Sequence, residues 1–359
     1  MEAREITLGY LRFLLRRAAT LVFIALLATT FTLMLVGGFG VMDRLIIAEI
    51  RRGARQEVIL NPKLQGLPRE EIERRIDELA QERILTAGLD KPFYQRMPKY
   101  LLQVLTWDFG SAQFLTSDSG STRVKDIIFE RLPRTALLFT TGSILSVLSG
   151  LAIGLSMGKR PGGLLDRSMT GFAMISYSLP LWWTGMLMIL IFSTRLRILP
   201  PGGFISVPPP ENPILYGLDV LRHMLLPLGT MVLVSFGGMA YITRNIIAGI
   251  FQQDYIFAAR ARGIPERIIT YRHALRGASP PIVTIAGFSI VFSIFGAIIS
   301  ETVFNWKGMG LLFWEAINVQ DVPVLLGLTY VSIFLYILLI FLLDLTYAFL
   351  DPRFRAAMG

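Results

Sequence analysis

Long apolar runs alternate with polar segments along the whole chain. Six runs contain no Asp, Glu, Lys or Arg: Ala18–Met42, Thr135–Gly158, Ser168–Thr194, His223–Thr243, Gly277–Ser300 and Val322–Leu343. Each has about the twenty residues that a helix needs to cross a bilayer. Spanning β-strands would be shorter and would alternate apolar with polar residues. The pattern therefore predicts an all-α polytopic membrane protein with six transmembrane helices.

The polar segments divide the chain into three parts. Residues 1–42 hold a basic flank and the first helix, residues 43–133 form a long soluble insertion, and residues 134–359 hold helices two to six. Within the insertion, Pro68–Ala87 opens with Pro and two Glu and then repeats apolar residues at helical spacing, which predicts an amphipathic helix. The first 17 residues either lie along the inner membrane surface or form an ordinary basic flank.

Composition agrees with a membrane protein. The 359 residues are 53% hydrophobic and 17% charged, and the mean hydropathy is +0.55. The absence of Cys excludes disulfides and thiolate metal sites, and two His residues leave little for a His-based site. A net charge of +9 would suggest a nucleic-acid partner in a soluble protein, but here it is expected from cytoplasmic loops.

The distribution of Lys and Arg predicts the orientation. If the N-terminus is inside, the short inner segments carry 15 of these residues and the short outer loops carry four. The long insertion is left out of this comparison because long domains cross the membrane largely regardless of charge. The bias predicts that both termini are cytoplasmic, that the insertion is external, and that the basic segment Asp254–Pro281 is cytoplasmic.

The segment Asp254–Pro281 carries a helix stop followed by a helix start. Gly263 followed by Pro265 is typical of one helix ending and another beginning, and Glu266 falls in the first turn of the second. The prediction is two short helices hinged at Gly263. Four residues are expected to share one side at helical spacing, where small side chains would let another protein approach closely: Tyr255, Ala258, Ala259 and Arg262.

This segment resembles the EAA loop of ABC importer permeases, in the form used by the peptide and oligopeptide (dipeptide permease B-like) branch of the binding-protein-dependent transport inner-membrane component family. That branch typically reads D-Y-[VI]-x-T-A-R-A-K-G and then R-H-A-L-R-N. The matching residues are Asp254, Tyr255, Ile256, Ala259, Arg260, Ala261, Gly263, Arg272, His273, Ala274, Leu275, Arg276 and Pro281. The chain departs from the pattern at Ala258 for Thr, Arg262 for Lys, Gly277 for Asn, and Phe257, where the wider family has an acidic residue.

The resemblance extends beyond the loop. Shorter stretches that are similar to the same branch are Leu89–Pro92, Trp107–Gly110, Glu301–Phe304, Asp321–Pro323 and Leu350–Arg353. It implies a permease subunit that forms half of a translocation path for peptides or oligopeptides. It also implies a second homologous permease, two ABC ATPase subunits and an external solute-binding protein as partners, in a bacterial or archaeal plasma (inner) membrane.

The same resemblance implies which residues couple ATP hydrolysis to transport. They form a cytoplasmic coupling loop over residues 248–276, with these positions expected at the ATPase contact: Asp254, Tyr255, Ala258, Ala259, Arg260, Arg262, Gly263, Arg272, His273 and Arg276. No cofactor is expected on this chain, because ATP and magnesium would be bound by partner subunits. The stretch Gly154–Lys159 is one residue short of a phosphate loop and has no Ser or Thr after its Lys.

Candidates for the translocation path are Ser176, Tyr177, Ser178 and Glu301. Small and hydroxyl residues in membrane helices more often serve helix packing, and an acid at a membrane edge usually finds an ion-pair partner.

Other functions remain as alternatives. The same scaffold would serve oligosaccharides or nickel, and an ATP-independent transporter or channel is a further alternative. An intramembrane enzyme is disfavoured because no catalytic set is present. The chain is therefore not expected to be an enzyme by itself.

Overall fold

The computed structural model describes residues 2–38, 40–61, 64, 68–294 and 296–350, without the side chains of residues 2–11, 41, 42, 45 and 346–350. The residues Asp351–Arg353 of the last matching stretch lie outside the described part. The helices are α1 Glu2–Gly38, α2 Val41–Leu60, α3 Arg69–Thr86, α4 Phe93–Leu105, α5 Val124–Lys159, α6 Leu164–Ser178, α7 Leu181–Met188, α8 Pro213–Phe251, α9 Asp254–Ala261, α10 Glu266–Ile268, α11 Leu275–Ser293, α12 Ile298–Val303, α13 Met309–Asn318 and α14 Val322–Leu350.

The fold class is all-α, as predicted. Two stretches have π-helical geometry: Ile189–Arg195 continues α7, and Ile269–Ala274 joins α10 to α11. Pairing of extended chain in the described residues is limited to the isolated bridge between Ser111 and Arg123. The N-terminal basic flank continues into the first apolar run as one helix, α1, without a turn between them.

Among the described residues, five helical stretches are long and apolar enough to cross a membrane: Arg12–Gly38, Val124–Lys159, Pro213–Phe251, Glu266–Ser293 and Val322–Leu345. The bent pair Leu164–Ser178 and Leu181–Arg195 makes a sixth span if it is counted as one. These stretches coincide with the six apolar runs of the sequence. The second of them begins at Val124, inside the stretch that sequence analysis assigned to the soluble insertion.

The third predicted span is not one continuous helix. Its two halves meet at an angle of 99°, and Pro180 lies between them as the N-cap of α7. The residue before a proline is driven out of helical geometry, and Leu179 is accordingly extended, with φ −87° and ψ 124°. The proline therefore ends one helix and starts another.

The start of the fifth predicted span was also placed wrongly. The apolar run starts at Gly277, but the continuous helix already begins at Glu266, so Pro280 and Pro281 lie inside α11. Pro280 has no N–H for the carbonyl of Arg276. The hydroxyl of Ser279 donates to that carbonyl at 2.8 Å, which compensates for the missing bond.

The structure divides into two compact units. One comprises Met1–Leu14, Ile128–Glu315 and Leu338–Gly359, and the other comprises Leu15–Ile127 and Ala316–Ile337. In the first unit, α5 and α8 cross in close contact along a series of glycines four residues apart. A Cβ on Gly150 would lie 2.6 Å from the Cβ of Met239, and a Cβ on Gly158 would lie 2.6 Å from the Cγ2 of Ile247. Only glycine permits this approach of the two backbones.

The second unit contains a helical hairpin from the predicted insertion. Helix α3 covers nearly all of the predicted stretch Pro68–Ala87. It packs on α2 through a small apolar core of Ala54, Val58, Ile76 and Ala80. Ion pairs on the outside of the hairpin, such as Arg55–Glu73 at 2.8 Å, are solvent-exposed and each contributes at most about 1 kcal/mol. The hairpin is held together mainly by its apolar stripe.

Buried and half-buried charged groups join further elements of this unit. The guanidinium of Arg96 donates to both carboxylate oxygens of Asp43, at 2.7 and 2.8 Å, and this carboxylate raises the pKa of Arg96 above its usual range. One oxygen of Asp321 accepts hydrogen bonds from three successive backbone N–H groups, those of residues 113, 114 and 115, at 2.7 to 3.0 Å. These contacts tie α4 to the start of α2, and the loop at residues 113–115 to the start of α14.

Candidate coupling site

The candidate coupling site is built around α9, a helix of two turns that follows α8. Helix α9 ends at Ala261, and Gly263 then adopts φ +74°, a left-handed conformation that favours glycine. Pro265 is the N-cap of α10. The stop at Gly263 and the restart at Pro265 are thus confirmed. The second helix is not short, however, because α10 runs through the π-helical stretch into α11 as one helix from Glu266 to Ser293.

One side of α9 is buried against the helix bundle. Ile256 is fully buried and Ala259 nearly so, in a core with Ile247, Ile269 and Ala274. The expectation that Ala259 shares an exposed side with Tyr255, Ala258 and Arg262 is therefore wrong. Ala259 lies three residues after Ile256, so both side chains point into the same core.

The opposite side of α9 is exposed. Phe257 has 74% of its side chain accessible and Tyr255 has 44%, and Asp254, Ala258 and Arg262 are exposed beside them. Sequence analysis noted Phe257 only as a departure from the family pattern. Consecutive residues of a helix point about 100° apart. A sequence prediction that placed the apolar Ile256 in the core would therefore have placed its neighbour Phe257 toward the outer side. A large exposed aromatic side chain is typical of a contact with a partner.

Two contacts hold the turn after α9 in place. The Nε of Arg260 donates to the Oε1 of Glu266 at 2.7 Å across Gly263, and the guanidinium of Arg260 lies 5.3 Å from the centre of the Phe251 ring. The hydroxyl of Tyr255 lies against Gly277, where a Cβ would be 2.9 Å from it. Helix α9 is thereby attached both to α8 and to the helix that follows.

The basic residues after the turn have different surroundings. Arg272 and Arg276 are exposed, and His273 is partly buried. Arg244, which precedes the loop, is instead committed to Asp166: its two nitrogens donate to both carboxylate oxygens at 2.7 and 2.8 Å. This pair ties the first turn of α6 to α8.

Three of the four candidates for the translocation path lie at the end of α6. Ser176 is 3% exposed, and a Cβ on Gly237 would lie 2.5 Å from its Oγ, so Ser176 serves the close packing of α6 on α8. Tyr177 is 79% exposed. Ser178 is exposed, and its hydroxyl donates to the carbonyl of Met174 at 2.7 Å. A role in translocation stays a prediction for these residues.

Glu301 is fully buried. Its Oε1 accepts a hydrogen bond from the hydroxyl of Thr135 at 2.9 Å, and its Oε2 accepts one from the N–H of Leu311 at 3.0 Å. The same hydroxyl accepts from the N–H of Met309 at 2.7 Å. Gly308 lies so close to Thr135 and Glu301 that a Cβ would collide with both. Glu301 thus caps the N-terminus of α13, and its role in translocation also stays a prediction.

In the part of the chain that the structure describes, no group of three or more His, Asp or Glu residues is placed to hold a metal ion. The predicted coupling residues lie on α9, on the turn after it and on the first part of the long helix that follows, whereas Glu301 belongs to a separate buried network.

Comparison with known proteins identifies the family. Residues 150–356 match the family described as "Binding-protein-dependent transport system inner membrane component". The chain belongs to this family.

The relatives include the oligopeptide transport system permease protein AppB of Bacillus subtilis, 29% identical over 86% of this chain and 92% of the relative. A putative peptide permease protein of Brucella suis is 34% identical over 75% of this chain and 82% of the relative. The dipeptide transport system permease protein DppB of Escherichia coli K12 is 29% identical over 75% of this chain and 83% of the relative. Among solved structures, the MetNI methionine ABC transporter in an inward-facing form aligns with 65% of this chain and 96% of its own, at 17% identity and a TM-score of 0.47.

Membership in the family defines the role of the chain. It is a multi-pass permease subunit of an ABC transport system of the inner membrane, and it works with an ATPase and a binding protein. The permease is not itself an enzyme, because ATP hydrolysis belongs to the separate ATPase subunit.

Proposed function

We propose that this permease forms half of the translocation path of an importer for peptides or oligopeptides, and that α9 is its contact with the ATPase. The relatives named above are peptide, dipeptide and oligopeptide permeases, which supports the proposal that peptides are the cargo. A second, homologous permease completes the path, and two ATPase subunits bind the pair. Both termini and the coupling loop are cytoplasmic, and the insertion of residues 43–133 is external.

The exposed side of α9 is the observation that carries the coupling role. A short helix that presents Tyr255, Phe257 and Ala258 to solvent, while Ile256 and Ala259 anchor it in the bundle, has the form of a docking element. Phe257 supplies apolar contact area, and the exposed Arg262 supplies charge. Aromatic and arginine side chains are the types that contribute most at protein interfaces.

Transmission of motion follows from the attachments of α9. A partner that moves α9 also displaces the ends of the two long helices to which it is fixed, because Ile256 and Ala259 pack on both of them. Packed helices respond to such displacement by switching between discrete arrangements as rigid bodies. The ATPase drives the switch through differences in its contact with α9 between the two arrangements.

The absence of Cys from the sequence makes a direct test possible, because each introduced thiol is the only one in this chain. In whole cells, a membrane-impermeant maleimide is expected to label Val207→Cys, which is 94% exposed in a predicted external loop. The same reagent is expected to label Ala258→Cys only after the membrane is opened. External labelling of Ala258→Cys would overturn the orientation.

The ATPase contact is tested with the same variants. A bifunctional thiol–amine cross-linker of short reach should join Ala258→Cys to the ATPase subunit, whereas Val207→Cys should not react with it. ATP-dependent uptake of a peptide into liposomes that contain the complete complex and its binding protein tests the cargo. Uptake without ATP or without the ATPase would contradict the proposal.

A further inference from the structure

One side of α8 is apolar and exposed over the first part of the helix. Four of its side chains are each more than half exposed: Ile214, Leu218, Leu221 and Leu225. Two half-buried residues continue the same side: Leu228 and Val232. These six residues form the seam of α8. The opposite side of the helix holds α8 in its own bundle through the buried residues His223, Pro227 and Thr230.

The spacing along the seam is that of a coiled coil. Successive seam residues lie alternately four and three positions apart, which is the a/d spacing of a heptad repeat. At 100° per residue, all six side chains fall within an arc of about 80°. This repeat lets two helices pack side by side over several turns, whereas a lipid tail requires no repeat at all. The seam therefore fits a second α-helix.

The first part of the seam extends beyond the stretch that fits a bilayer. Helix α8 has 39 residues, whereas about twenty are enough to cross the hydrocarbon core. The charge-free run of this helix begins only at His223. One turn earlier, the carboxylate of Asp219 accepts hydrogen bonds from the backbone N–H and the hydroxyl of Ser206, in the preceding loop, at 2.7 and 3.0 Å. The first three seam residues thus lie at the level of polar groups, where apolar exposure is typical of an interaction surface.

Two glycines flank the seam, one on each side, and both have open space above them. A Cβ on Gly217 or on Gly229 would meet no atom of the described residues within 4 Å. By contrast, a Cβ on Gly237 would lie 2.5 Å from the Oγ of Ser176, so that glycine serves packing within the chain. Glycine inside a helix is destabilising relative to alanine, and Gly217 and Gly229 gain no packing in return. Glycines beside a helix contact let the backbone of a partner approach closely.

We propose that the seam of α8 packs in parallel against the corresponding helix of the second, homologous permease. Two related subunits about a two-fold axis bring the same element of each face to face, and two apolar heptad repeats interdigitate in that arrangement. Where the seam meets α5, an open apolar groove of about 350 Å³ accommodates side chains of the partner. This inference rests on the proposed function for the existence of the second permease.

Photo-cross-linking tests the contact in the complete transporter complex, purified in detergent without nucleotide. Leu218→p-benzoylphenylalanine places a probe of short reach on the seam, and irradiation should join this chain to the second permease. Mass spectrometry of the digested adduct should locate it on the helix that aligns with α8. Tyr216→p-benzoylphenylalanine is the matched control, because Tyr216 is 40% exposed on the same helix and points about 160° away from the seam. It should give no adduct with the second permease.

A charge on the seam gives a second measurement. Leu221→Glu should shorten the half-life of the permease pair at least about tenfold, measured by exchange with a tagged second permease, because the carboxylate would lose its hydration in an apolar contact. Tyr216→Glu is the control and should leave the half-life unchanged. Both positions are exposed, so neither variant places a charge in the core of this chain.

Three results would overturn the inference. The first is a Leu218 probe that reacts only within this chain or with lipid and detergent. The second is an adduct with another copy of this chain or with the binding protein instead of the second permease. The third is an equal result from the seam variants and the Tyr216 controls. External labelling of Ala258→Cys, or uptake without ATP, would instead contradict the proposed function, and an adduct with the second permease would still support the seam.

Discussion

The helix α9 and the carboxylate of Glu301 were both candidate functional features in the sequence, and their surroundings in the structure are opposite. Helix α9 uses two small or branched side chains to attach itself and leaves Tyr255, Phe257 and Ala258 exposed. Glu301 is fully buried, and both of its carboxylate oxygens accept hydrogen bonds from groups of the same unit. A group that is buried with its bonding capacity used stabilises the fold, whereas a tethered segment with unsatisfied surface is suited to bind a partner.

The largest expected effect is a loss of stability when Glu301 is replaced. Glu301→Ala leaves the N–H of Leu311 and the hydroxyl of Thr135 without their acceptor and creates a void. The free energy of unfolding should fall by about 3 kcal/mol or more, measured as thermal unfolding of the purified complex. Glu211→Ala, at an exposed position, is the control and should change it by less than about 0.5 kcal/mol. Unchanged stability with lost uptake would assign Glu301 to the translocation path instead.

Two adjacent alanines of α9, one buried and one exposed, distinguish its attachment to the bundle from its proposed docking surface. Ala259→Trp overfills the core beneath α9 and should lower stability by about 1–3 kcal/mol. Ala258→Trp adds the same side chain on the exposed side and should leave thermal stability unchanged, while it lowers co-purification of the ATPase and peptide uptake. If Ala258→Trp retained full ATPase binding, the exposed side of α9 would not be the docking surface.

The turn after α9 should respond less strongly. Gly263→Ala places a Cβ at φ +74° and should cost about 1 kcal/mol, seen as faster hydrogen exchange of the amides in residues 254–264 and as reduced uptake. Gly249→Ala is the matched control, because Gly249 lies within α8 and a Cβ there meets nothing within 4 Å. Equal exchange in the two variants would show that the backbone at Gly263 is not constrained.

The smallest effect is expected from the exposed ion pair. Arg260→Ala, Glu266→Ala and the double variant should give a coupling energy below about 1 kcal/mol that weakens further with salt, measured by a double-mutant cycle of thermal unfolding. Uptake should stay within about twofold of the unmodified level, the change that less than about 0.4 kcal/mol would produce. A loss of more than tenfold from Arg260→Ala alone would indicate that Arg260 contacts the ATPase directly.

Local patterns predicted much of α9 and its surroundings. Gly263 and Pro265 act on backbone torsions within one or two residues, so the end of one helix and the start of the next were readable from their order. The length of the second helix could not be read in this way. Nothing between Glu266 and Ser279 breaks a helix, and the backbone hydrogen bond that is missing at Pro280 is compensated by the hydroxyl of Ser279. The side occupied by Ala259 depended on a core assembled from α8 and α11, which are separate in the sequence.

The break at Pro180 shows the same limit. A proline inside an apolar run disturbs a helix because it lacks the N–H of an ordinary residue. Whether a proline bends a helix or separates two depends on what the freed backbone groups and the flanking side chains can pack against. Here the two halves meet at 99°, and the buried Ser176 and Thr184 lie on either side of the break.

By itself the sequence determined the number and place of the apolar segments, the all-α fold class, the family and the helix break at Gly263, since each of these follows from composition or from residues near one another in the chain. Only the tertiary structure decided which side of α9 is buried, that Glu301 caps α13 through Thr135 and Leu311, and that the seam of α8 lies exposed. These features arise from contacts between distant segments. The direction and the partner of a side chain are set by the elements packed around it, which local spacing does not specify.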